Sequence, residues 1–429
     1  MRRSFYANTI LALVVVFLGI ALWSTPQGAY GDNRFTIAVI PDTQNYVDNT
    51  KKQPNSSRDF TVETQYLADH QKDLKLVFVT HVGDVVQHGD GTNGTPGDKS
   101  WGAGTEWNRA FSAMKILADA DIPFGMSPGN HDYDNYSYTT GKLPLTSTVM
   151  WNRYFGSTSS LFVDKPWYGG ASDNLTYDPG LSSFQIFKVG GKDFLHISLQ
   201  MEASDEALAW AQDVIDAHPG YATIVTTHSY ISPPPPGNNE PPLTAPAPLN
   251  EASYLTTAPG TCTGGPQPAS PGGCNSAQQV WDKFISQNDQ IFLVLCGHSW
   301  NPTVNGISQS ENIRIDKNIA GHDVYQVLSD YQGNTIGTDG MVGHDPGGEG
   351  WLRLMQFDLT EGFVHFSTYS PLLGKYAGLN GEQTFAQPSL FSDFTLPMPI
   401  QVINASSAWN PGPHGPAEPH GRALQDSVR

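Results

Sequence analysis

Cysteine is scarce, three among 429 residues, and no two of the three have the spacing of a metal site. Positive charge is scarce too: 23 lysines and arginines stand against 41 aspartates and glutamates, a formal net charge of −18. A surface of that sign repels polyanions at long range and excludes a general nucleic-acid-binding face. Any anionic substrate therefore needs a local positive centre. Long apolar runs are missing after the first two dozen residues, so no second membrane span follows the N-terminus. There is no phosphate-binding P-loop, no Gly-x-Ser-x-Gly element and no internal repeat.

What is present describes a globular chain. At 38% hydrophobic and 11% aromatic it can bury a large core. Met1-Arg2-Arg3, the apolar run from Thr9 to Trp23 and the small-residue exit around Ala29-Tyr30-Gly31 read as a secretory signal over residues 1–31, with an uncleaved anchor as the alternative. The expected product is secreted, periplasmic or extracellular, with no stable membrane span after signal removal. Cys262 and Cys274 close a short Gly/Pro-rich loop suited to a disulfide in such a compartment, whereas Cys296 ends "IFLVLC" and is expected to be a buried free thiol.

One layout repeats along the chain. "FTIAVIPDTQ" stops at Pro41-Asp42, "LKLVFVTHVGD" at Gly83-Asp84, "YATIVTTH" at His228 and "QIFLVLCGH" at Gly297-His298. Each run is short and nearly continuous in Val, Ile, Leu and Phe, as in strands buried on both faces. Amphipathic stretches lie between: Thr105 can cap "EWNRAFSAMKILADA", Ser204 can cap "DEALAWAQDVIDAH", and "SAQQVWDKFISQ" repeats the arrangement. Strand and helix alternation of this kind predicts an α/β core.

Open α/β sheets bind ligands at the carboxyl ends of their strands. Asp42, Asp84, His228 and His298 all occupy that position, and "SPGNHDYDNY" follows a fifth candidate strand, "IPFGM". A stretch of Pro, Gly, Asn and Asp is by itself an ordinary turn. Five strand ends that deliver Asp, Asp, Asn-His-Asp, His and His to one rim point instead to a shared metal site.

In these residues the chain resembles the calcineurin-like metallophosphoesterases, whose signature runs Asp-x-His, Gly-Asp, Gly-Asn-His-Asp/Glu, a lone His and Gly-His-x-His. The matching stretches are "PDTQ", "VGDVV", "GNHD", "VTTHS" and "CGHSW", in that order over residues 35 to 300. "PDTQ" also looks like a known variant of the first motif. The resemblance implies a four-layer α-β-β-α sandwich of two mixed β-sheets flanked by helices. It further implies two divalent or trivalent metal ions (Mn, Fe or Zn) and hydrolysis of a phosphate mono- or diester by a metal-bound hydroxide. Asp84 resembles the carboxylate that bridges both metals; Asn130, His228 and His298 the other ligands of the second; Asp42 a ligand of the first. His131 resembles the histidine that contacts the phosphate and assists the leaving oxygen, with Asp132 orienting its ring.

Two positions depart from the pattern. Gln44 stands where Asp-x-His has its histidine, and Trp300 where Gly-His-x-His ends. Both losses fall on the first metal. Gln44 can offer an amide oxygen, making an oxygen-rich and weaker site with Asp42 and Asp84; His81, His322 or His344 can fill in; or the first site is empty. The leading function is an exported phosphoesterase acting on a phosphate-ester small molecule, lipid or nucleotide. The alternative is a degenerate scaffold that binds with one metal or none. Residues 32–400 form the expected domain, with a Pro/Gly-rich insertion at about 231–275 shaping access and a disordered tail over 401–429.

Overall fold

The computed structural model describes residues 33–48, 56–90, 105–134, 148–176, 179–233, 274–304, 307–332, 348–377 and 391–405. In chain order its strands are β1 (Arg34–Ile40), β2 (Leu76–His81), β3 (Phe124–Met126), β4 (Tyr168–Ala171), β5 (Ser183–Val189), β6 (Lys192–Ser198), β7 (Ala222–Ser229) and β8 (Ile291–Gly297). They continue as β9 (Asn301–Val304), β10 (Ile307–Gln309), β11 (Glu311–Lys317), β12 (Asp323–Ser329), β13 (Leu352–Asp358), β14 (Phe363–Ser370), β15 (Lys375–Tyr376) and β16 (Asp393–Pro397). Two seven-stranded mixed sheets result. One runs β15-β14-β13-β1-β2-β3, with β16 also on β14; the other runs β11-β12-β8-β7-β6-β5-β4, and β9 and β10 pair apart from both.

The expected four layers follow from where each apolar face goes. Alternate residues of β1 divide between two cores, Phe35, Ile37 and Val39 between the sheets and Ala38 and Ile40 under the helices, as the two-residue period of a strand requires. Phe194, Phe292, Tyr325 and Phe357 complete the layer between the sheets. Helices Ser56–Asp69, Glu106–Asp119 and Val149–Phe155 cover the first sheet, where Trp107, Trp151 and Trp167 are packing rings. Helix Asp205–Ala217 and the segment from Ala277 to Ile285 cover the second. The caps are those the sequence suggests: Thr105 Oγ1 accepts from Asn108 N, Ser204 Oγ from Ala207 N, and Ser276 forms a capping box with Gln279. After Val280 that last helix widens into a π-helical turn, Trp281–Ile285.

Parallel pairing is what gathers the strand ends. β1, β2 and β3 are mutually parallel, with Ile40 opposite His81 and His81 opposite Met126. β6, β7, β8 and β12 are parallel in the other sheet, with Ser229 opposite Gly297 and Cys296 opposite Leu328. Beneath these ends a polar seam joins the sheets: Thr80 Oγ1 donates to Thr226 Oγ1 (2.9 Å), Ser127 Oγ donates to the Thr226 carbonyl (2.7 Å), and His196 Nε2 lies 2.8 Å from Thr226 Oγ1. At the opposite flank a buried ion pair ties β13 to β11, Arg353 Nη2 donating to Glu311 Oε1 at 2.7 Å. Tyr331, Thr368 and Ser392 hydroxyls saturate the rest of that carboxylate, so the buried charges are fully hydrogen-bonded.

The expected tail boundary at 401 falls too early. Ile400–Asn404 is a helical turn in which Val402 is fully buried and Gln401 Nε2 donates to the Ile291 and Asp323 carbonyls, anchoring it under the second sheet. Among the described residues no helix is long and apolar enough to cross a membrane; the expected signal at 1–31 and most of the 231–275 insertion lie outside them. Cys296 is a buried free thiol and Cys274 is disulfide-bonded; its expected partner Cys262 lies outside the described residues.

Candidate metal centre

The strand ends converge on Asp84. It is buried, follows Gly83 out of β2 and holds a left-handed backbone (φ 52°); His298 does so too (φ 74°). Non-glycine residues are strained in that region and concentrate at sites where the side chain must be aimed. The glycines at 129 and 297 are required by crowding. A Cβ at Gly129 would overlap Asp84 Oδ1, and one at Gly297 would overlap Asp42 Oδ1. The motif glycines are therefore the space the donors occupy.

Four acceptors meet on the β2, β3, β7 and β8 side. His228 Nε2 lies 3.2 Å from each of Asp84 Oδ1, Asn130 Oδ1 and His298 Nδ1. The other ring nitrogen, Nδ1, is 2.9 Å from the Val82 carbonyl, which only accepts, so Nδ1 carries a hydrogen and the ring, when neutral, presents its Nε2 lone pair inward. A ring thus oriented by a backbone carbonyl is the arrangement of a metal ligand. Burial opposes protonation of His228, but Asp84 and Asp42 overcome it and raise its pKa to about 10. Burial works against Asp84 ionising, yet His228 and His131 pull it well below the ordinary carboxylate range. His298 moves the other way, to about 3, through burial and the neighbouring His228.

The β1 side holds oxygens and amides. Asp42 accepts from the His298 amide (3.2 Å to Oδ2) and from Gln332 Nε2 (3.0 Å). Burial first, and Asp330 second, raise its pKa well above the usual value. Gln44 Nε2 donates to Asp84 Oδ2 at 3.2 Å and to Gln332 Oε1, while Gln44 Oε1 is buried without a hydrogen-bond partner. These donors fit a cation pair that shares Asp84: a nitrogen-rich half, an oxygen half, and an orphaned buried amide oxygen beside the second.

His131 lies on the rim, its Nε2 3.9 Å from Asp84 Oδ2 and its amide donating to Asp84 Oδ1 at 2.9 Å. Burial lowers its pKa. The expected Asp132 contact is not what orients this ring; the Gln87 carbonyl does, 2.9 Å from Nδ1. Asp132 instead accepts from the Val85, Val86 and Gly129 amides at 2.8, 3.1 and 2.8 Å, and so shapes the Asp84 and Asn130 loops. A short residue one position on points back into its own turn, so its carboxylate reaches amides before it reaches the ring.

Of the alternative histidines, neither His81 nor His322 joins the centre. His81 has both ring nitrogens engaged, with Thr43 Oγ1 and the Gly83 amide; His322 pairs with Asp289 at the surface; His344 lies outside the described residues. Trp300 is 41% exposed. Sequence reasoning missed Asp330 and Gln332. "YQVLSDYQ" carries the same signal as the other strand ends, a β-rich run stopping at an aspartate, and β12 does end there.

Comparison with known proteins agrees with this geometry. Residues 35–302 match the model of the calcineurin-like phosphoesterase family, and the chain belongs to that family. It is 25% identical over 340 residues to the uncharacterized protein YvnB of Bacillus subtilis (strain 168), a match covering 79% of this chain and 20% of that one. The chain thus spans about a fifth of that relative's length. A solved structure described as GAP50, the anchor in the inner membrane complex of Plasmodium, is similar over 85% of this chain and 89% of its own, with 11% identity and a TM-score of 0.36.

Proposed function

We propose that this chain is an exported phosphoesterase that hydrolyses a phosphate mono- or diester, His131 assisting the departing oxygen. The observation that carries the reading is the set of four acceptors, Asp84 Oδ1, Asn130 Oδ1, His228 Nε2 and His298 Nδ1, facing one another, the first three on buried residues and His298 half-buried. When bound, two divalent cations supply the positive charge that an acidic protein otherwise lacks and lower the pKa of water. Asp84 holds both halves in register, and Asn130, His228 and His298 complete one of them. With the Gln87 carbonyl fixing the hydrogen on Nδ1, His131 turns Nε2 to the centre. The negative charge of an arriving phosphate favours a second proton there, and the ring gives it to the leaving oxygen.

Export is supported by the basic and apolar N-terminus and by the disulfide at Cys274, since such bonds persist in oxidising compartments. The test is turnover of an aryl phosphate monoester and diester by the metal-loaded protein. His131→Ala is expected to lower kcat about 10²- to 10⁴-fold, the usual contribution of a positioned acid, with metal content unchanged. No metal-dependent turnover of either ester by the wild type sinks the reading in favour of a binding scaffold.

A further inference from the structure

Gln44 and Trp300 leave the β1 side of the centre short of the family's donors, and the chain brings others from a strand end outside the motifs. We propose that Gln332 is a ligand of the first cation and Asp330 its positioning residue. That half is then built from oxygen alone and takes a hard divalent cation such as Mn²⁺ in preference to Zn²⁺. The inference rests on the two-cation reading above and assigns its first half.

The orientation of Gln332 is the main argument. Both hydrogens of its amide are committed to carboxylates, Asp42 Oδ2 at 3.0 Å and Asp330 Oδ2 at 2.9 Å. Those partners identify Nε2 and leave Oε1 turned toward Gln44. Asp330 fixes the backbone as well, Oδ1 accepting from the Gln332 amide at 3.0 Å while its own amide donates to the Ser310 carbonyl at 2.8 Å. It is fully buried.

The second argument is what Gln332 Oε1 meets. That oxygen and Asp84 Oδ2 converge on one group, the Gln44 amide nitrogen, while the oxygen of the same amide is buried with no partner. Half a turn of the Gln44 amide replaces the donor by an acceptor. Asp84, Gln332 and Gln44 would then all present oxygens toward one another, a set of acceptors that a cation satisfies. Carboxylate and amide oxygens suit Mn²⁺, Mg²⁺ or Ca²⁺, whereas the histidine-rich half suits Zn²⁺.

The test uses the full chain stripped by chelation, loaded with one equivalent of Zn²⁺ and titrated with Mn²⁺, free Mn²⁺ being read by electron paramagnetic resonance and total metal by elemental analysis. Wild type is expected to hold one Zn²⁺ and one Mn²⁺. Gln332→Ala is expected to weaken Mn²⁺ by about tenfold or more with Zn²⁺ retained, since even losing a supporting partner costs about 10- to 100-fold. Gln332→Asn keeps the amide but draws its oxygen back by one methylene, and is expected to weaken Mn²⁺ in the same direction with Zn²⁺ retained. It decides the matter if the alanine variant misfolds: Mn²⁺ affinity of the asparagine variant within about twofold of wild type overturns the inference. So does a Gln332→Ala protein whose Mn²⁺ affinity stays within about twofold of wild type, too small a change for a lost ligand. Both results leave the phosphoesterase reading standing. A wild type that takes up no metal overturns that reading together with this one.

Discussion

The two halves of the centre share Asp84 but are held in different ways. On the histidine side the backbone fixes the donors: the Val82 carbonyl orients His228, the His131 amide anchors Asp84, and Asp84 and His298 sit in strained left-handed conformations. On the oxygen side, side chains hold one another, Gln44, Gln332, Asp42 and Asp330 exchanging amide and carboxylate hydrogen bonds. Backbone anchoring needs particular residues next to each donor, such as Gly129, and therefore leaves a sequence motif. A network of side chains needs only that its members meet in space. Beyond Asp42 and Gln44 it leaves no motif, and it tolerates replacements such as Gln44.

Asp84→Ala removes the group common to both halves and has the largest expected effect. Metal analysis is expected to show both ions lost, with affinity falling by more than the roughly 10- to 100-fold that follows loss of a supporting partner; retention of either ion would break the picture of a shared carboxylate. Next comes Glu311→Ala, which strands Arg353 in the core just behind the β12 exit. The expected loss is about 3–5 kcal/mol in denaturant unfolding, and any surviving folded protein should bind Mn²⁺ less well while keeping Zn²⁺. Tyr331→Phe is the mildest. It deletes the hydroxyl that donates to Glu311 between Asp330 and Gln332. About 1 kcal/mol of stability should go, and Mn²⁺ affinity should change more than Zn²⁺ affinity; an equal change in both would show that the halves are not separately supported.

Much of the candidate site is legible in the sequence. Asp42, Asp84, Asn130, His228 and His298 each follow an apolar β-rich run, and the rule that α/β sheets bind at strand carboxyl ends brings them together. The ring-orienting partner of His131 was not legible. Asp132 is its sequence neighbour, but the Gln87 carbonyl that does the work belongs to another loop and has no side-chain signature. Asp330 and Gln332 were overlooked for a related reason. "LSDYQG" has the right layout, but only the parallel pairing of β12 with β8, Cys296 opposite Leu328, places its exit beside Asp42 and His298.

By itself the sequence determined the elements: where strands end, which residues cap the helices, which faces are apolar, and that carboxylates and histidines stand at successive strand ends. These are local properties, set by side-chain period, turn chemistry and capping within a few residues. The tertiary structure decided neighbours: which strand lies beside which, that Gln332 reaches Asp42 across 290 positions of chain, and that the Gln44 amide oxygen is buried without a partner. Strand order and register depend on burying both faces of two sheets at once, a condition on the whole chain that no short stretch records.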